Sequence, residues 1–314
     1  MTSMDDGGAT TAGSLLPRDA IFDILTWAPF KSVCRFRCVS KDWLALISDP
    51  AFIAQHRSRS GPLLVGTYRF PDDGGLLVMD MKGNVLRMVK GLGLFPSVTS
   101  SVGNLVSVHC TIAPGIRLVD VTTGKVLLTC QTFDGISKHH AVSLGRAAVS
   151  NSSKVVRITE SFSYNDEDGL QSQQTCEVLT LEHDDYEWRQ APSPPDLIRM
   201  YNSAGSTAAV NGVLHFLSKH EPAHNSVLCF DLESEEWGKT IQGPLEEDRS
   251  EIRITQLTDA SCMISNEGYF FLNIWLLIDA DNSIWVKSYV APMAMAFDMV
   301  EPLWLMPDGV KLLL

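Results

Sequence analysis

His220, Glu221 and His224 stand in the order His-Glu-x-x-His, the spacing by which one helical face offers two imidazoles to zinc and a carboxylate to the metal-bound water. Pro222 lies between the two histidines, and a helix interior excludes proline because its ring clashes with the preceding turn and it has no N–H to donate. The flanking HFL and VLCF read as consecutive strands, so the sequence predicts a loop with two exposed histidines, while His215 alternates within a strand. Cys34 and Cys38 are one helical turn apart, yet no second Cys or His pair stands nearby to complete a tetrahedral site; buried helix cysteines are predicted. Ser143, in AVSLG, lacks the first glycine of a nucleophile elbow and its strand-turn-helix setting. Thr123 to Lys125, TGK, lacks the upstream glycine and following hydroxyl of a phosphate loop and reads as a hairpin turn. The acidic run Asp166 to Asp168 lacks calcium-loop spacing and reads as solvated surface. The residues therefore predict no catalytic group, no metal and no cofactor, and place function in surfaces.

The elements that would build such surfaces begin at Leu16. Pro17 suits a first helical turn, and Arg18 to Trp27 carries Ile21, Ile24 and Leu25 as an i, i+3, i+4 stripe. Pro29 ends that helix; Ser32 is a candidate cap for a second, holding Val33 and Phe36 on one side. Ser40 opens a third with Trp43, Leu44 and Ile47 at helical spacing, and Pro50 marks a break before a last short turn around Phe52 and Ile53. So few residues bury little surface of their own, and the apolar surface left over is a candidate for a partner.

This segment resembles an F-box at Leu16, Pro17, Ile24, Leu25, Pro29, Lys31, Ser32, Val33, Arg35, Phe36, Cys38, Val39, Ser40, Lys41 and Trp43. It departs at Ala28, where the family usually has Leu, and at Trp27, where a polar or basic residue is common and which stands where it would refill the space. The resemblance implies docking to a Skp-type adaptor and, through it, to a cullin and RING ubiquitin ligase. Leu16, Pro17, Ile24, Leu25, Pro29, Val33, Phe36, Val39 and Trp43 then either face the adaptor or form the small core behind that face, two roles that the sequence does not divide.

At 314 residues and 45% hydrophobic content the chain is long enough for two domains and a large core. Residues 1–14 are acidic rather than basic and have no apolar core, so a flexible tail is expected there, not a secretory signal. The longest apolar run, Tyr269 to Ile278, is about half the roughly 20 residues that span a bilayer. Seven cysteines without a regular framework fit a reducing compartment, cytosol or nucleus. Charge is uneven: Leu16 to Arg59 has seven Lys or Arg against four Asp or Glu, net +3, and Ser60 to Leu314 has eighteen against thirty-one, net −13. An acidic large domain argues against a nucleic-acid groove. The basic helices, with Lys31, Arg35, Arg37 and Lys41, suit an acidic partner or a solvated face equally.

Beyond Gly61 the periodicity becomes strand-like. LLVMDMKGNVLRMV, IRLVDVTTGKVLLTC, CEVLTLEHDDYEW, VLCFDLESEEW and NIWLLIDADNSIW each place an alternating run before a polar turn and a second apolar or Trp-anchored run. With Asp80, Asp120, Glu182, Asp231 and Asp279 as equivalent turn positions, the intervals are 40, 62, 49 and 48 residues, and Trp188, Trp237 and Trp285 share one register. Ser161 to Thr175, within the long interval, reads as an inserted loop. HAVSLGRAAVS, STAAVNGVLHFL and ASCMISNEGYFFL supply further strands for four-stranded blades.

The units AVNGVLHFL, VLCFDLESEEW and NIWLLIDADNSIWVKSYV are similar to the repeat of plant F-box-associated, kelch-like propellers. EPLWLMPDGVKLLL looks like the start of another unit, which either pairs with early residues to close the ring or leaves an exposed edge. The expected fold is thus multidomain, α then all-β. A three- to four-helix F-box over 15–60 precedes a propeller of about five to six blades over 61–314, with the last blade incomplete in one alternative. The resemblance implies the substrate-recognition subunit of a Skp, cullin and F-box ubiquitin ligase, without an active site of its own and with a protein target, neither nucleic acid nor membrane. An adaptor-binding scaffold or degenerate family copy is the alternative, and a propeller hydrolase or metalloenzyme a third class. Target contacts are expected from loops at one end of the propeller, Ser161 to Thr175 and His220 to His224 first.

Overall fold

The computed structural model describes residues 16–28, 30–59, 63–70, 73–110, 115–131, 138–165, 169–181, 186–200, 207–219, 226–244, 252–257, 260–267, 271–292, 304–305 and 312–313. Contacts divide the chain into two compact units, Met1–Leu64 with Val78–Leu86, and Val65–Leu77 with Arg87–Leu314.

Helix α1, Arg18–Thr26, starts behind Pro17, whose carbonyl accepts from the Ile21 amide at 3.1 Å, and ends at Trp27. Helix α2, Phe30–Phe36, begins before Ser32, so Ser32 lies inside the first turn and is not the predicted cap. Burial of Val33 and packing of Phe36 set the phase of this short helix, against which a cap is worth only about 1 kcal/mol. Ser40 does cap α3, Lys41–Ser48: its Oγ accepts from the Trp43 amide at 3.1 Å. Ser40→Ala is expected to lower the stability of this unit by about 1 kcal/mol and Ser40→Gly by a few tenths, read as shifts in a urea midpoint.

The predicted short turn after Pro50 is instead a ten-residue helix, α4, Pro50–Arg59. Proline is tolerated at the first helical position because its missing N–H would have had no partner there, and Asp49 Oδ1 accepts from the Ala51 amide at 2.8 Å. Leu25, Val33, Leu46, Ile47 and Phe52 form the core, with Ile21, Phe22, Ala28, Phe36 and Trp43 packed against it. Phe22 meets Phe52, and Phe36 meets Trp43, edge to face at 5.4 and 5.5 Å.

The remaining strands form five antiparallel sheets, each following chain order, and a terminal hairpin. The first sheet holds β1 (Leu64–Phe70), β2 (Asp73–Met79) and β3 (Val85–Val89). The second holds β4 (Pro96–Val102), β5 (Leu105–Cys110), β6 (Gly115–Asp120) and β7 (Lys125–Gln131). In the third, β8 (Lys138–Arg146), β9 (Ser153–Asn165), β10 (Gly169–Thr180) and β11 (Arg189–Ala191) follow. The fourth comprises β12 (Thr207–Val210), β13 (Val213–Leu217), β14 (Val227–Asp231) and β15 (Glu236–Trp237). The fifth comprises β16 (Ile252–Leu257), β17 (Ala260–Glu267), β18 (Phe271–Asp279) and β19 (Ile284–Pro292). First strands of successive sheets lie side by side, β4 beside β8, β8 beside β12 and β12 beside β16, so the sheets are the blades of a five-bladed propeller.

Each hairpin read from the sequence is the outer pair of a blade, and in four of the five an aspartate makes the turn. Asp80 Oδ1 accepts from the Lys82 and Asn84 amides, Asp231 Oδ1 from those of Glu233 and Ser234, and Asp279 Oδ1 from that of Asn282. Asp120 Oδ1 accepts from the Thr122 amide and from Asn104 Nδ2. These are side-chain mimics of backbone turns, which a local sequence encodes. Glu182 lies outside the described residues. By this equivalence β2 and β3 are an outer pair and β1 a second strand, so among the described residues the first sheet has three strands where the others have four. β20 (Trp304–Leu305) pairs with β21 (Leu312–Leu313), not with β1.

The core lies between blades. Leu118, Leu144, Val155 and Leu179 join blades two and three; Val156, Ile158, Phe216 and Phe230 join three and four; Leu217, Val227, Ile254 and Met263 join four and five. Trp188, Trp237 and Trp285 each pack on the seam toward the preceding blade. Trp237 Nε1 donates to the Pro192 carbonyl at 2.7 Å, and Trp285 Nε1 to that of Gln242 at 2.8 Å, both acceptors just beyond the preceding blade's last strand. Gly212, at φ 83°, follows Asn211 at φ 50° in the β12–β13 turn, and a Cβ there would come within 2.8 Å of the Ala148 amide nitrogen.

A polar clamp spans blades three and four. Glu233 Oε2 accepts from the Val149 and Ser150 amides, while Glu235 binds Lys154 and Arg189, each at 2.8 Å. Burial alone would raise the Glu235 carboxyl, but Lys154 and Arg189 outweigh it and hold the group below its ordinary value. Its stabilisation is therefore complete above an ordinary pKa of 4.5 and is lost as pH falls through the lower folded value. Glu235→Gln is expected to cost about 1–2 kcal/mol at neutral pH, discounted for the half-exposed Arg189. Urea midpoints of the two chains should converge as pH is lowered from 4.5 through the depressed folded value.

Candidate docking surfaces

On the helical unit, burial separates neighbours of equal hydrophobicity. Leu25 is 2% exposed and Val33 is buried, with Phe36 and Trp43 partly buried, whereas Ile24 is 58% exposed and Leu16, Pro17 and Val39 are exposed too. Pro29 lies outside the described residues. Leu44 and Ile53 add to the exposed apolar set. Trp27 does not refill the space beside Ala28 as expected: it is 72% exposed, one turn from Ile24, with the Arg59 guanidinium 4.6 Å from its ring centroid. The physical reason is that Ala28 is occupied otherwise, packed partly into the core with its carbonyl accepting from His56 Nε2 at 2.9 Å.

The residues that suggested chemistry are placed as follows. His220 to His224, Asp166 to Asp168 and the Cys34 side chain lie outside the described residues. Cys38 is exposed, not buried, because the chain leaves α2 at Phe36 and turns. Ser143 is buried in β8 and its Oγ donates to Thr207 Oγ1 at 3.3 Å across the seam between blades three and four. Thr123 to Lys125 form the β6–β7 turn, with Gly124 at φ 75°. His215 Nδ1 lies 3.2 Å from Ser261 Oγ, and burial pushes the imidazole down to about 4, which keeps it neutral. Burial pushes the Cys176 and Cys229 thiols up to about 12, far from a nucleophile's range. Among the described residues no three His, Cys, Asp or Glu side chains could share a metal ion, and no helix is long and apolar enough to cross a membrane.

Of the stretch Ser161 to Thr175, residues 161–165 and 169–175 are strand and not the predicted loop; Asp166 to Asp168 lie outside the described residues. β9 and β10 pair in unbroken register from Thr180↔Lys154 to Gly169↔Asn165, extending the hairpin past β8, whose Lys138 pairs with Ser161. The signal was present in SFSYN, where Phe162 and Tyr164 alternate with serines, a period of two inside a run otherwise too polar to read. His139 meets Phe162 edge-on at 5.1 Å, and Lys219 Nζ lies 5.8 Å from the same ring while ion-paired to the buried Glu160. Because the strands are antiparallel, each blade's second-to-third connection lies at one end and its other two turns at the opposite end. Lys219, just past β13, touches the far part of β9, and Glu233 touches the Val149 turn, so blades three and four share these ends. The far parts of β9 and β10 and the end of β13 that Lys219 follows therefore lie at the same end.

Two family descriptions match the chain: an F-box domain over residues 14–54 and an F-box associated beta propeller domain over residues 77–304. Curated relatives come from Arabidopsis thaliana. An F-box protein is 26% identical over 324 residues, covering 92% of this chain and 66% of the relative. F-box only protein 8 is 25% identical over 262 residues, 75% and 82% of the two chains, and an F-box/kelch-repeat protein is 22% identical over 307 residues, 95% and 71%. Another relative is covered over only 58% of its length, so the chain spans roughly three fifths to four fifths of such proteins. The solved Hsv2 of Kluyveromyces lactis aligns over 70% of this chain and 72% of its own, at 10% identity and a TM-score of 0.31, too distant to argue from.

Proposed function

Because the chain belongs to the family of F-box proteins with an F-box-associated β-propeller, we propose that it is the substrate-recognition subunit of a Skp, cullin and F-box ubiquitin ligase. The observation that carries this reading is a small helical unit with its apolar residues divided between a packed core and an exposed set. Leu16, Pro17, Ile24 and Val39 face the Skp-type adaptor, and Leu25, Val33, Phe36 and Trp43 support that face from behind. The propeller recruits a protein target through the end that carries the β9–β10 hairpin, where a rigid scaffold presents a projecting element. Catalysis belongs to other subunits of the ligase. Cytosol or nucleus is the compartment, consistent with free thiols at Cys38, Cys110, Cys130, Cys176, Cys229 and Cys262.

A second reading, an adaptor-binding scaffold or degenerate copy that joins no ligase, draws on Ala28 and on Trp27 pointing away from the core. Co-purification separates the two. The intact chain should elute as a complex with a Skp-type adaptor and, with the proteasome blocked, should carry a ubiquitinated protein whose retention requires the propeller. Adaptor binding without any ubiquitinated protein supports the second reading; no adaptor binding sinks both.

A further inference from the structure

Helix α1 ends on an aromatic side chain turned away from the core. Ile24 and Trp27 are three residues apart and share one face of the helix, while Leu25 turns inward to Val33, Leu46, Ile47 and Phe52. Trp27 is 72% exposed, yet it is held in place. Its amide donates to the Ile24 carbonyl at 3.2 Å and closes the helix, and the Ala28 amide donates to the Leu25 carbonyl at 3.1 Å. The Ala28 carbonyl accepts from His56 Nε2 of α4 at 2.9 Å, which ties the residue after the ring to a second helix.

Arg59, at the end of α4, supplies the other support. Its guanidinium carbon lies 4.6 Å from the Trp27 ring centroid, within the reach of a cation–π contact. The guanidinium is itself seated: Nη1 donates to Thr26 Oγ1 and lies 4.0 Å from Asp23 Oδ1, and Thr26 Oγ1 donates to the Asp23 carbonyl at 2.8 Å. Two helices therefore fix the base of the ring and back it with a cation, while most of its surface stays in water. A side chain set in advance loses little freedom when a partner closes over it, and tryptophan is enriched among the residues that dominate interfaces.

Continuity and charge name the occupant. Trp27 adjoins Ile24, assigned above to the adaptor face, so a surface that covers Ile24 reaches the ring. F-box members usually carry a polar or basic residue at this position and Leu at the next, where this chain has Ala28, so the shared pattern does not supply this contact. Leu16 to Arg59 holds seven Lys or Arg against four Asp or Glu, and Arg59, with 24% of its side chain exposed, sets one of those cations beside the ring. An apolar recess fits the ring, and a carboxylate at its rim fits the guanidinium.

We infer that Trp27, seated on Arg59, anchors the Skp-type adaptor, its ring entering an apolar recess with an acidic rim. This rests on the reading that the helical unit docks such an adaptor, and adds to it a contact that the family pattern lacks.

The test titrates a purified Skp-type adaptor into the intact chain by calorimetry. Trp27→Ala should weaken binding about tenfold or more with an unchanged melting temperature, because most of the ring lies outside the core, and Trp27→Phe about threefold. Arg59→Gln should flatten the fall in affinity that the native chain shows as ionic strength rises. Hydroxyl-radical labelling read by mass spectrometry tests the contact without any substitution: Trp27 should be oxidised in the free native chain and protected in the complex. Weakening of less than about threefold by Trp27→Ala, or equal oxidation of Trp27 with and without adaptor, overturns the inference, and a salt dependence unchanged in Arg59→Gln removes the acidic rim from it. A native chain that binds no adaptor overturns the adaptor reading itself, and this contact with it.

Discussion

Trp237→Ala is expected to lower the stability of the propeller by about 3 kcal/mol, at the small end of aromatic truncations because the ring is only partly buried. The ring packs on Phe230 at 4.9 Å and Phe216 at 5.7 Å, and its Nε1–H holds the Pro192 carbonyl of the preceding blade. Truncation removes both the packing and this hydrogen bond to blade three. Trp237→Phe keeps most of the apolar contact and loses that bond, for about 1 kcal/mol. Urea unfolding followed by far-UV circular dichroism would order the chains as native, Phe, then Ala. A midpoint for Trp237→Ala equal to the native one would show that the seam does not depend on this residue.

Ile24→Glu and Leu25→Ala, adjacent and both apolar in the native chain, are expected to fail in opposite ways. Ile24 is exposed, so a charge there leaves the helical unit folded but desolvates badly against an apolar partner. Adaptor affinity should fall about thirtyfold or more, the loss of about 2 kcal/mol that marks a contact hot spot. Leu25 is buried among Val33, Leu46, Ile47 and Phe52, and its truncation should cost about 2–5 kcal/mol of folding stability. Binding by Leu25→Ala should therefore recover when temperature is lowered and the unit refolds, whereas Ile24→Glu should stay weak at every temperature. Calorimetric titration with a Skp-type adaptor, paired with thermal melts, reads both. Equal binding by Ile24→Glu and the native chain would remove Ile24 from the docking face.

Features governed by neighbours in sequence were legible. The Ser40 cap depends on an oxygen three residues from the amide it accepts, and the aspartate turns at Asp80, Asp120, Asp231 and Asp279 depend on amides two to four residues away. The shared register of Trp188, Trp237 and Trp285 likewise showed repeated units before any contact was known. The β9–β10 extension was misread because its hydrogen bonds are made by backbone, while the surrounding Asn, Asp, Glu and Gln residues masked the alternation of Phe162 and Tyr164. Cys38 was misplaced because the end of α2, two residues earlier, removes it from the helical face that its spacing from Cys34 implied.

The sequence by itself determined the order helices then hairpins, the turn at each aspartate and the F-box pattern from Leu16 to Trp43, since each rests on residues a few positions apart. Only the tertiary structure decided which of Ile24 and Leu25 is core, how Glu233 reaches Val149 and Ser150, and that Lys219 meets Glu160 at the end where β9 projects. Burial and ion pairing between residues up to 84 positions apart depend on where whole blades and helices pack, and hydrophobic periodicity is blind to that choice when two apolar residues stand side by side.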